Sequence, residues 1–105
     1  MKVVDYRNLK AFSGEKMKKV SLFDTERMFA DVYCFRPGQA QKPHAHAGSD
    51  KVYFVLEGKG TFRVGAEEKI LGPGEATIAP SGEDHGVVNT SDADLVVLVF
   101  MAPKP

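Results

Sequence analysis

The sequence predicts an all-β domain, a small sandwich or barrel of short antiparallel strands, on three observations. Glycine and proline together number 16, and 13 of them fall between Pro37 and Gly86 as regular punctuation. The runs between them are short and rich in Val, Phe and Tyr, with a turn signal roughly every eight to twelve residues. Two runs, Lys51–Leu56 and Leu95–Met101, are apolar on successive residues, so both their faces are expected to be covered. At 105 residues the chain has room for one such domain, spanning 1–105.

Residues 1–19 form an N-terminal arm. Gly14 interrupts them, and Lys16, Lys18 and Lys19 leave no apolar stripe, so at most a short turn of helix is expected. Residues 20–101 carry the barrel strands, at Val20–Phe23, Met28–Phe35, His44–Ala47, Lys51–Leu56, Gly60–Val64, Glu67–Leu71, Glu75–Ala79, Gly86–Asn89 and Leu95–Met101. Gly65-Ala66 reads as a hairpin turn, and 102–105 as a tail. In Met28–Phe35, alternation sets Phe29, Asp31, Tyr33 and Phe35 on one face and Met28, Ala30, Val32 and Cys34 on the other. The second row is read as inward, giving an apolar lumen. The first is too aromatic to stay wet and is read, with Val20–Phe23, as the contact of a homodimer. On the fourth strand Lys51, Tyr53 and Val55 share a face, opposite Val52, Phe54 and Leu56.

Composition excludes several classes of function. Fourteen basic residues balance fourteen acidic ones, so there is no electrostatic footprint for nucleic acid. The longest apolar run, Leu95 to Ala102, is too short to cross a bilayer, so no membrane role is expected. A single cysteine, Cys34, cannot form an internal disulfide, and a cytoplasmic location is expected.

All three histidines fall in two places, His44-Ala45-His46 and His85. An HxH in a strand puts both imidazoles on one face, and imidazole is the commonest side-chain ligand of borderline transition metals. A third imidazole from another strand completes a ligand face with open positions, which catalytic metals keep and structural ones lack. The plainer alternatives are surface polarity for the pair and an ion pair with Asp84 for His85.

Two ordered sets surround these histidines. Gly38-x5-His44-x-His46-x4-Lys51-x6-Gly58 resembles the first motif of the cupin superfamily, and Gly74-x5-Pro80-x-Gly82-x2-His85-x3-Asn89 resembles the second. The Leu56-Glu57-Gly58 ending is also typical of small members, and the resemblance spans about residues 36–101. It implies a small single cupin barrel (double-stranded β-helix, or jelly roll). It also implies a divalent transition metal (Fe, Mn, Ni, Cu or Zn) on His44, His46 and His85, and a dimer. The family's reactions are too varied for the fold to choose one.

One position departs from the pattern. Where the family usually carries a glutamate ligand, this chain has Lys51. An inward ammonium would raise the formal charge of a loaded site from about +1 to about +3. Three readings follow. Lys51 turns its ammonium out to solvent at the barrel mouth and a three-histidine site survives, the reading preferred here because a lone-pair cluster needs a partner. Asp50 becomes a fourth ligand through a bulge, against strand alternation. Or the site is metal-free, with Lys51 and the histidines as acid–base or anion-binding groups.

The lumen's polar groups would then be the histidines, Tyr53 and Lys51, suited to a small organic molecule with an anionic or hydroxyl group. Tyr53 and Lys51 are the pocket candidates for catalysis, though Tyr53 also reads as a core aromatic. A metal-dependent enzyme of dioxygenase or isomerase type is the leading expectation. The alternative is a non-catalytic small-ligand or metal-binding sensor barrel, and a metal-free epimerase ranks last.

Overall fold

The structure, a computed structural model, describes residues 1–105. A short helix, α1 (Tyr6–Leu9), precedes nine strands: β1 (Lys18–Asp24), β2 (Phe29–Phe35), β3 (Ala40–His44), β4 (Asp50–Glu57), β5 (Gly60–Val64), β6 (Glu67–Leu71), β7 (Ala76–Ala79), β8 (His85–Val88) and β9 (Leu95–Ala102). They form two antiparallel sheets, ordered β1-β2-β9-β4-β7 and β3-β8-β5-β6. The all-β expectation holds, and no helix is long and apolar enough to cross a membrane. The β5–β6 hairpin turns at Gly65-Ala66 as expected, with Val64 opposite Glu67.

The main core lies between the sheets and includes Tyr33, Phe35, Tyr53, Val55, Phe62 and Val97. Each fully buried apolar side chain contributes about 1.5–3 kcal/mol. On β4 the expected division holds: Lys51, Tyr53 and Val55 are buried, while Phe54 on the other face is 36% exposed.

On β2 the expected division into faces holds but its direction is reversed. Tyr33 and Phe35 point into the main core, whereas Val32 and Cys34 point outward with Val96 into a second cluster. Alternation fixes which residues share a face; the element that covers a face decides which one is core. Here the arm supplies the outer cover. Asp5 caps α1 by accepting from the Arg7 amide, and Tyr6 and Phe12 pack over Val32, Cys34 and Val96. Lys10 pairs with Glu57 at 2.8 Å, and Gln39 donates to the Ser13 carbonyl, fastening the arm to the barrel. Tyr33 and Phe35 therefore cannot form a surface for a second copy. Nor does Met28, at 37% exposed, line a lumen.

β3 also differs from expectation, spanning Ala40–His44 rather than His44–Ala47. It contains Pro43, which a strand tolerates because β3 is the edge of its sheet and a missing N–H breaks no ladder there. The β3–β8 register shifts between Gln41 and His44, so the proline sits at an irregularity.

Gly58 ends β4 with a φ of +78°, and a Cβ there would collide with the Asp94 carbonyl. Both the left-handed backbone and the contact exclude a side chain. We expect Gly58→Ala to cost about 2–4 kcal/mol of unfolding free energy in urea melts, against little change for Gly14→Ala, where the added Cβ meets nothing.

Candidate metal centre

His44 closes β3, His46 lies two residues beyond it, and His85 opens β8 directly across from His44 in the ladder. The ring centroids stand 4.7 Å apart for His44–His46, 4.5 Å for His44–His85 and 5.5 Å for His46–His85. The candidate ligand nitrogens all fall within 4.8 Å of one another. Two ligands on one ion stand at most about 4.2 Å apart at metal–nitrogen distances near 2.1 Å. Ring shifts below about an ångström therefore close this set onto a metal.

His46 is not on the strand, so strand alternation does not bring it beside His44. The loops do. The Gly82 amide donates to the His46 carbonyl at 2.8 Å, and the Gly48 amide donates to Ser81 Oγ at 2.6 Å. Gly82, three residues before His85, holds a φ of +84°, the left-handed conformation its turn requires. Asp50 belongs to the same clasp: its Oδ1 accepts from the Ser81 amide at 3.0 Å. The expectation that Asp50 swings inward as a fourth ligand is thus corrected. It is exposed, outside the histidine group, and engaged with backbone.

Two of the rings are oriented by main-chain carbonyls. His44 Nδ1 lies 2.9 Å from the Lys42 carbonyl and His85 Nδ1 3.1 Å from the Glu83 carbonyl. Each contact puts the proton on Nδ1, which leaves the Nε2 lone pair free. His85 is only 2% exposed, and its Nε2 has no partner in the protein. Burial pulls its pKa down to about 4; the bond to the Glu83 carbonyl opposes this, and Lys51, His44 and His46 lower it further. Burial also lowers His46, helped by His44 and Lys51. His85 is therefore neutral at pH 7, the ligating form. A buried, unpartnered imidazole nitrogen facing two others fits a bound cation.

Lys51 does not turn out to solvent, which corrects the preferred sequence reading. It is 2% exposed, with Nζ 5.1 Å from the Tyr33 ring centroid and 5.3 Å from that of Tyr53. The reason is register: Lys51 shares the core face with Tyr53 and Val55, and the two aromatic faces receive its ammonium. Burial brings its pKa down to about 8, Lys19 lowers it further, and Asp31 opposes. Tyr53 is fully buried, and its hydroxyl donates to Gln41 Oε1 at 2.8 Å. Burial pushes the Tyr53 phenol up, so its proton stays in that bond. Asn89 likewise serves the backbone, donating to the Phe35 and Ala93 carbonyls.

Two residues were missed in the sequence. Asp31 lies on the inward row of β2, and burial raises its carboxyl pKa. Gln41 is 6% exposed and reaches the core from β3. Alternation already grouped Asp31 with Tyr33; the reversed direction of that row hid it. Gln41 fell in a stretch taken as loop.

The interior below the histidines is filled by the core, not open as an apolar lumen. The two cavities, about 850 and 640 Å³, lie at the β6–β7 side and between the edges of β1 and β3, and neither is lined by a histidine. The three-histidine group lies nearer the surface, with His44 and His46 half-buried.

Known proteins resemble this chain in sequence and fold. The sequence pattern of the cupin domain (Cupin_2) matches residues 31–101. The chain is 29% identical over 85 residues to a Thermotoga maritima protein named "Oxalate-binding protein", covering 81% of this chain and 69% of that one. It is 29% identical over 87 residues to "Pectin degradation protein KdgF" of Dickeya dadantii, covering 83% and 77%. The crystal structure of TT1209 from Thermus thermophilus superposes with a TM-score of 0.98 at 50% identity, covering 100% of both chains.

Lys51 makes stability depend on pH in a defined direction. Between pH about 8 and 10.5 the unfolded chain holds this proton and the folded chain does not, so stability rises with pH across that window. Below it the full cost of the buried charge is present. In chelator-treated urea melts, Lys51→Met should therefore be more stable than wild type by about 1–3 kcal/mol at pH 7. The gap should narrow by pH 10; a Lys51→Met protein less stable at pH 7 would contradict the buried charge.

Proposed function

Since this chain belongs to the cupin superfamily, we propose that it is a small metal-binding cupin in which His44, His46 and His85 hold one divalent transition metal, Fe, Mn, Ni, Cu or Zn, before a small organic molecule. The observation that carries this reading is the convergence of the three imidazoles, with the buried His85 Nε2 left unpartnered in their midst. When bound, such a metal supplies Lewis-acid activation through the positions that three ligands leave open.

The chain's own groups fit an enzyme of dioxygenase or isomerase type. The carbonyls of Lys42 and Glu83 keep protons on Nδ1 of His44 and His85 and aim the opposite nitrogens at the ion. Asp31 and Lys51, both on the inward side of the five-stranded sheet, are the groups able to exchange a proton with a ligand. The Tyr53 hydroxyl supports the wall through Gln41 instead. That commitment favours a second reading, a barrel that binds a small ligand without turnover, and the relative named for oxalate binding supports it too. Persistence of a candidate ligand unchanged after prolonged incubation with metal-loaded protein would select the binding reading.

A homodimer and a cytoplasmic location belong to the same proposal. The surface that suits a second copy is the outer face of the five-stranded sheet, where Phe54 and Ile78 remain exposed beside Val52 and Phe100. Light scattering after size exclusion should give about twice 11.5 kDa, and Phe54→Lys should shift the protein toward monomer.

The metal itself is tested by elemental analysis of untagged protein. We expect close to one transition-metal ion per chain in the wild type. His44→Ala or His85→Ala should weaken binding by about tenfold to a hundredfold or more, while both variants still fold. A metal-free wild type that takes up no added Zn²⁺, Mn²⁺ or Ni²⁺ overturns the reading.

A further inference from the structure

The chain is neutral as a whole, yet its charge is divided between the two open sides of the sandwich. On one side the edge strands β1 and β3 border a cavity of about 640 Å³. Lys16, Lys18, Lys19 and Lys42 line it, and no acidic residue does. None of the four takes part in an ion pair. On the other side Glu67, Glu75 and Glu83 line the larger cavity with a single base, Lys69. Lysines on an edge strand deter pairing with a second sheet. That accounts for bases on β1 and β3, but not for the amide in the wall between them.

Gln41 forms part of the same cavity's wall and is 6% exposed. Its Oε1 accepts from the Tyr53 hydroxyl at 2.8 Å, which turns the donor half of the amide away from that hydroxyl. Nε2 has no hydrogen-bond partner in the protein. Burial raises the Tyr33 phenol and the Gln41 amide eases it, yet no bond forms between them. Lys19 converges on the same ring: it stands opposite Tyr33 in the β1–β2 ladder, with Nζ 5.1 Å from the Tyr33 centroid. A buried donor without an acceptor is unfavourable, and ammonium groups gathered without an acid concentrate a positive potential in their cleft. An anion seated there relieves both.

We propose that the gap between β1 and β3 is a second binding site, taking a small phosphorylated molecule on Lys19 and Lys42, with the Gln41 amide as a further donor. It is separate from the three-histidine centre, since no histidine lines the cavity, and it needs no metal. Its volume lies within the range of small-ligand sites, about 300–1,000 Å³. The choice of base sets the chemistry. A planar carboxylate is best met by the fork of an arginine, and no arginine lines the gap. Ammonium groups act as point charges and suit a tetrahedral, multiply charged phosphate. With the acidic cavity on its other side, a neutral chain offers an extended polyanion little beyond this gap.

Calorimetric titration of chelator-treated protein with inorganic pyrophosphate, at fixed ionic strength, decides this. Wild type should bind pyrophosphate, and bind succinate more weakly. Lys19→Gln and Lys42→Gln should each bind pyrophosphate at least about fivefold more weakly, as expected for loss of a charge-assisted contact. Both side chains are exposed, so both variants should keep the wild-type circular dichroism and melting temperature. Gln41→Glu, which puts an acceptor where the donor stands, should also weaken binding. Lys69→Gln, the same charge change at the acidic cavity, should bind as wild type does. No pyrophosphate binding by wild type overturns the proposal, as does wild-type affinity in Lys19→Gln, Lys42→Gln or Gln41→Glu. An equal loss in Lys69→Gln would make the effect one of net charge and overturns it too. So does tighter binding of succinate, or of a single-stranded oligonucleotide, than of pyrophosphate.

Discussion

Two strands distant in the chain are hydrogen-bonded in a register that sets His44 opposite His85, and the candidate centre depends on that pairing. A ladder places cross-strand side chains about 5 Å apart on one face, close enough for two rings to share an ion. The third ring needs a different device, because His46 has already left the strand. It is held by the clasp between the loop before β4 and the loop before β8, through the Gly82 amide, Ser81 and the Asp50 carboxylate. Loosening either loop would displace His46 while leaving the barrel core intact.

The site places conflicting electrostatic demands on a small protein. Burial keeps the imidazole of His85 neutral, which suits ligation, yet the same low-dielectric wall makes the Lys51 ammonium expensive. The barrel bears this because its main core of Tyr33, Phe35, Tyr53, Phe62 and their neighbours lies in one continuous block between the sheets. The Tyr33 and Tyr53 rings belong to that core and also face the ammonium, so the packing that stabilises the fold shapes the surroundings of the charge.

Much was legible in the residues. Turn-forming glycines and prolines mark strand ends because only they adopt the required backbone angles at low cost, and most strands fall within a few residues of their expected places. The three histidines were legible as a set, since few other arrangements use all of a chain's imidazoles at such spacings. The clasp role of Asp50 was not: its partner, the Ser81 amide, is a backbone group from a distant loop, and no residue type signals it. Pro43 disguised β3, because proline reads as a break unless the strand is known to lie at an edge.

The amino-acid order alone determined the all-β class, the strand sequence and the face-sharing groups, because backbone preference and period-two alternation are local properties. It could not determine which face of β2 points inward, where Lys51 puts its charge, or how His46 joins the other rings. Those outcomes depend on what lies opposite: the arm over Val32 and Cys34, two aromatic rings around an ammonium, a glycine amide under a carbonyl. Burial and pairing are relations between segments, and they acquire a definite value only when the chain closes on itself.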